Sequence, residues 1–129
     1  NVAVATPDGY KPDGAVLEFT KGCGDKFALE TDPFMAASGA DILITDTWTS
    51  MGEEAEKEER KKIFKDYQIN RQLLAAANAG AMVQHCLPAY RGQEITEEVF
   101  EEHADEIFNE AENRLHAQKA VMVKLMKKD

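Results

Sequence analysis

Apolar positions along this chain follow two alternating rhythms: short unbroken runs stopped by turn formers, and longer stretches in which they recur at helical spacing. Asn1 to Ala5 is small and β-branched, and Thr6-Pro7-Asp8-Gly9 stops it, which predicts a buried strand and a turn. Asp13 can cap a short helix through about Lys21, with Gly22 and Gly24 ending it. Lys26 to Glu30 predicts a second brief strand. Asp32-Pro33 places a capping carboxylate before a proline at the first helical position, and that helix ends at Ser38-Gly39. Asp41 to Asp46 is a continuous apolar strand closed by a carboxylate.

From Glu53 to about Phe64 the chain is charged nearly all round, a helix by propensity with little to bury. Asn70 to Asn78 predicts another helix, and Ala81 to His85 a fourth buried strand, stopped by Pro88. A short strand is expected at Glu106 to Phe108. A long helix follows from about Ala111 to Met126, with Leu115, Met122, Leu125 and Met126 at helical spacing. Strands alternating with helices predict an α/β domain, a three-layer sandwich whose mostly parallel sheet is covered on both faces. Ligands of such sheets collect at the carboxyl ends of the strands.

Composition narrows the function classes. With 129 residues the chain fits one domain over its whole length, and 43% hydrophobic with 30% charged residues is ordinary for a globular fold. The net charge of −9 argues against nucleic acid, whose phosphates need a basic face. Nine acids and no Lys or Arg lie between Gln93 and Glu112, read as a solvated surface because Ile95, Val99, Phe100, Ile107 and Phe108 interleave with them. No apolar run approaches the roughly 20 residues of a membrane span. Cys23 and Cys86 match no metal spacing and no leader precedes them, so reduced thiols in the cytoplasm are expected. The chain starts at Asn1 without Met, as a domain cut from something longer would.

Three segments carry candidate chemistry. Asp46-Thr47-Trp48-Thr49-Ser50-Met51-Gly52 follows the third strand, where Asp46 can receive an amino group and the groups after it a carboxylate. Ser50 to Glu53 also fits a helix capping box, and a helix N-terminus is itself an anion site. His85-Cys86-Leu87-Pro88 follows the fourth strand. Neighbouring strand residues point to opposite faces, so His85 and Cys86 are expected to diverge rather than form a dyad, and Pro88 admits a cis bond and a sharp turn. Arg114, opening the last helix, offers a forked pair of donors; the plain alternative is a surface pair with Glu110. His103 and His116 read as surface or packing histidines.

In this order, Asp46 to Gly52, His85 to Pro88 and Ala111-Glu-Asn-Arg-Leu-His-Ala-Gln-Lys119 resemble the signatures of the ornithine carbamoyltransferases, and the Thr6 to Tyr10 turn is similar too. The likeness runs over essentially the whole chain, loosest between Ala15 and Thr31, and is much closer than that to the aspartate enzymes, which lack the Ser-Met-Gly loop. It implies the ornithine-binding, Rossmann-like half of an enzyme moving a carbamoyl group from carbamoyl phosphate to the δ-amine of ornithine, without cofactor or metal. By the resemblance, Asp46 would bind the α-amino group, and Ser50 and the Met51 backbone the carboxylate. Cys86, with His85 beside it, would lie beside the δ-amine and the carbamoyl carbon as the family's proposed proton acceptor. The Leu87 carbonyl, before a cis Pro88, would hold the carbamoyl NH₂, and Arg114 would polarise the carbamoyl oxygen. The charged helix from Glu53 would be a lid.

The family's carbamoyl-phosphate domain, its Ser-Thr-Arg-Thr and His-Pro-x-Gln motifs, and the first strand of this domain are missing. That strand lies in the family between the strands at Asn1–Ala5 and Asp41–Asp46. Its loss implies either direct re-pairing of those two or a gap filled from another chain, as a homo-oligomer or strand-swapped dimer. An inactive chain is expected on its own. A non-catalytic α/β fragment, excised or engineered, and the domain of a putrescine-type carbamoyltransferase are the alternatives; Asp46 and the Ser-Met-Gly loop argue against putrescine, which has no α-amino or carboxylate group.

Overall fold

The alternation takes shape, in a computed structural model that describes residues 1–49, 52 and 54–127 (backbone alone at Glu54), as four short strands and six α-helices. The first half runs β1 (Val2–Ala5), α1 (Gly14–Thr20), a 3-10 stretch (Lys21–Lys26), β2 (Phe27–Glu30), α2 (Pro33–Ala37) and β3 (Ile42–Thr45). The second runs through a 3-10 turn (Glu54–Glu56), α3 (Lys57–Phe64), another such turn (Lys65–Tyr67), α4 (Arg71–Ala76), β4 (Met82–His85), α5 (Glu97–Glu102) and α6 (Ala104–Met126). Short polar side chains start α1, α2 and α4. Asp13 accepts from the Ala15 N–H and Asp32 from the Phe34 N–H, each at 2.8 Å, and Asn70 accepts from the Leu73 N–H at 2.9 Å. The capping box expected at Ser50 to Glu53 lies outside the described residues.

Among the described residues all strand pairing is parallel, but in two separate two-stranded sheets: β1 with β2, and β3 with β4. β1 and β3 share no ladder, so the direct re-pairing entertained for a chain without the family's first strand does not occur. α2 packs on β1, β2 and α4. Sliding the sheets together by about 4.8 Å, one strand spacing, would disrupt that packing.

The core gathers on one face of β3–β4. Leu43 and Val83 meet Ile69, Leu73, Ile95, Val99, Phe100 and Ile107 from the loops and helices packed there. Full burial of side chains such as Val83, Phe100 and Ile107 is worth roughly 1.5–3 kcal/mol each. On the opposite face Ile42, Ile44 and Met82 are exposed, and β1, expected to be buried, leaves Val2 and Ala3 exposed because no described strand covers its other edge.

The predicted strand at Glu106 to Phe108 is instead the start of α6, which begins at Ala104 rather than Ala111. Val99, His103 and Ile107 are joined in steps of four, His103 N–H to Val99 O and Ile107 N–H to His103 O. The buried Ile107 side chain and the Phe108 ring, edge-on to Phe100 at 6.0 Å, continue that helical face. Asp105 and Glu106 suit the positive end of the helix.

Candidate active site at the ends of the β3 and β4 strands

The register Thr45 opposite His85 in a parallel pair sends the next residues, Asp46 and Cys86, off the same sheet edge side by side. A carboxylate oxygen of Asp46, a ring nitrogen of His85 and the Cys86 sulfur lie within 4.8 Å of one another. His85 and Cys86 therefore do not diverge as strand neighbours should. β4 ends at His85, and the chain turns at once: Leu87 takes φ +56°, a left-handed conformation uncommon for a side-chain-bearing residue, and its bond to Pro88 is cis.

Asp46 is exposed, and its Oδ1 accepts from the Thr47 N–H at 2.7 Å. Cys86 is half-buried. Burial pushes its thiol up, and Asp46, which accepts from the thiol and repels its anion, pushes it further; Glu110 on α6 adds to the repulsion. The resting group is a thiol.

His85 and Glu94 are wholly buried and meet at 3.0 Å, His85 Nε2 to Glu94 Oε1. The Leu87 N–H donates to His85 Nδ1 at 2.9 Å. A backbone N–H can only donate, so Nδ1 offers its lone pair, the ring hydrogen sits on Nε2, and Nε2 donates to Glu94. Glu94 Oε1 also accepts from the Tyr90 N–H at 2.6 Å. One buried carboxylate thus clamps both ends of the Cys86–Tyr90 turn. Sequence reasoning missed Glu94 because it is one of nine acids in its stretch; the signal was a histidine in a buried strand, which needs an acceptor.

Asp46, His85 and Cys86 also have the donor types and proximity of a metal set. Their chemistry does not fit one. Both His85 nitrogens are already engaged, so no imidazole lone pair points at the other two donors.

Leu87 and Pro88 form the turn as the sequence indicated. Arg114 is exposed on α6, one turn beyond Glu110, and makes no ion pair with it among the described residues. Glu110 Oε2 is buried without a hydrogen-bond partner among the described residues. Ser50 and Met51 lie outside the described residues. α3 has no buried residue and covers this rim from the side: Arg60 donates to the Trp48 carbonyl at 3.3 Å, and the Lys57 ammonium lies 5.0 Å from the centre of the Tyr90 ring.

A carboxylate and a thiol side by side at the carboxyl ends of adjacent parallel strands stand where ligands of α/β sheets collect, which makes them a candidate site of that class. Residues 1–125 match the aspartate/ornithine carbamoyltransferase, Asp/Orn binding domain family, and the chain belongs to that family. It is 54% identical over 129 residues to the ornithine carbamoyltransferase of a Nitratiruptor species, covering 97% of this chain and 42% of that protein. It is 55% identical over 130 residues to that of Gloeobacter violaceus, covering 98% and 42%. Among solved structures, the anabolic ornithine carbamoyltransferase of Campylobacter jejuni superposes with a TM-score of 0.90 at 44% identity, covering 96% of this chain and 42% of that one. The chain thus spans well under half the length of these relatives.

Proposed function

We propose that residues 1–129 form the ornithine-binding half of an ornithine carbamoyltransferase of arginine metabolism, active in the cytoplasm once joined to a half that binds carbamoyl phosphate. The observation that carries this reading is Asp46 and Cys86 side by side at the ends of β3 and β4 in a chain of the Asp/Orn-binding family. The δ-amine lone pair of ornithine attacks the carbamoyl carbon, the bond from that carbon to the phosphate oxygen breaks, and the amine's proton passes to the departing phosphate as citrulline forms.

This chain's part is positioning and charge stabilisation. Asp46 holds the α-ammonium group, and Ser50 with the Met51 backbone holds the carboxylate. Cys86 lies beside the δ-amine. The Leu87 carbonyl accepts from the carbamoyl NH₂, in a turn fixed from behind by the buried His85–Glu94 pair. Arg114, a rigid fork of donors, meets the carbamoyl oxygen where negative charge develops.

The test is citrulline formation from ornithine and carbamoyl phosphate by the full-length protein. Losing one charge-assisted contact in Asp46→Ala should raise the ornithine KM about tenfold to a hundredfold, and Arg114→Ala should lower kcat about a hundredfold or more. No citrulline from the wild type, or Asp46→Ala acting like wild type, would refute the proposal.

A further inference from the structure

Among the described residues, the helix α3 packs through few side chains. None of its residues is buried, and its last residue, Phe64, packs its ring against Tyr10 at 4.8 Å, Tyr67 at 5.9 Å and Trp48 at 6.1 Å between ring centres. That fastens only the C-terminal end. Toward the N-terminal end, among the described residues, two cations rest on aromatic faces, Arg60 5.4 Å from the Tyr10 ring centre and Lys57 5.0 Å from that of Tyr90.

These two contacts reach different loops. Arg60 also donates to the carbonyl of Trp48, two residues beyond Asp46. Tyr90 lies four residues beyond Cys86, and its N–H is bound to Glu94, the carboxylate that clamps the Cys86 turn. Lys57 and Arg60 stand one turn apart on a single helix. Through them α3 ties the loop carrying Asp46 to the turn carrying Cys86.

We propose that the Lys57–Tyr90 contact is a latch fixing the spacing between these two loops, which makes Lys57 a positioning residue for the amino-acid substrate. The inference rests on the reading of Asp46 and Cys86 as the ornithine site. Lys57 touches no substrate. It favours the one placement of α3 in which both ends of an extended diamino acid are met together, so its loss weakens ornithine capture and leaves the chemical step alone.

The experiment is a double-mutant cycle in the full-length protein with Lys57→Met, Tyr90→Leu and the pair, and with Lys57→Arg and Tyr90→Phe as conservative replacements. A cation–π contact of ordinary strength predicts an ornithine KM about three- to tenfold higher in each single variant, with kcat within about twofold. The double variant should be no worse than either single, and the two conservative variants should behave as wild type. Hydrogen exchange of the 57–64 amides, which needs no turnover, should quicken equally in both singles and in the double variant. Additive effects in the cycle, or a silent Tyr90→Leu beside an impaired Lys57→Met, would overturn the latch. If the wild type makes no citrulline, the functional reading fails, and the exchange cycle alone still decides whether the latch exists.

Discussion

Cys86 shows how much a neighbour sets the chemistry of a single side chain. Burial and the Asp46 carboxylate both raise its thiol above the ordinary value of 9.0, so it reacts poorly near neutral pH. Asp46→Asn removes the negative charge and leaves the burial. Alkylation of Cys86 by iodoacetamide should then speed up at neutral pH and its midpoint move to lower pH while staying above an ordinary thiol. A midpoint unmoved in Asp46→Asn would mean the carboxylate does not act on the sulfur. Asp46 and Cys86 were legible as strand-end residues. The approach of His85 to Cys86 was not, because alternation along a strand says nothing about the residue after its last hydrogen-bonded pair. Glu94 was hidden too, since one acid among many carries no mark of burial.

Among the elements, α6 illustrates how a tertiary contact decides a boundary. Glu106 sits in its first turn, and its Oε2 accepts from the Val83 N–H of β4 at 2.9 Å and meets His103 Nδ1 at 3.0 Å. Burial works against its charge, but the Val83 N–H and His103 outweigh that and hold its carboxyl below 4.5. A carboxyl lowered on folding stabilises while ionised. Its contribution is complete above 4.5 and is lost as pH falls through the lower native value. Between about pH 5 and pH 3, the urea midpoint should therefore fall more steeply for wild type than for Glu106→Gln; equal slopes would contradict the assignment. The apolar run at Ile107 and Phe108 resembled a strand because two adjacent hydrophobic residues fit either period. The capping side chains Asp13 and Asp32 were readable because their bonds are local.

For the whole molecule, the parallel α/β order was legible and the division into two sheets was not fully so. Periodicity identifies strands, whereas which strands touch depends on segments distant in sequence. Ile42, Ile44 and Met82 on the sheet and Leu115, Met122 and Leu125 on α6 are large apolar side chains left exposed, the kind of surface through which chains associate when it is contiguous. Expressed alone, the 129-residue chain should self-associate, as a homo-oligomer or a strand-swapped dimer, in sedimentation at micromolar concentration; a stable dilute monomer would count against that.

The claim on which the account turns is that an amino acid lies across the edge shared by Asp46 and Cys86. Modification of Cys86 in the full-length protein, followed by mass spectrometry with and without saturating ornithine, tests it most directly. The account predicts that ornithine slows alkylation severalfold in wild type and not at all in Asp46→Ala. Equal rates with and without ornithine, in a protein shown by calorimetry to bind it, would place the substrate elsewhere.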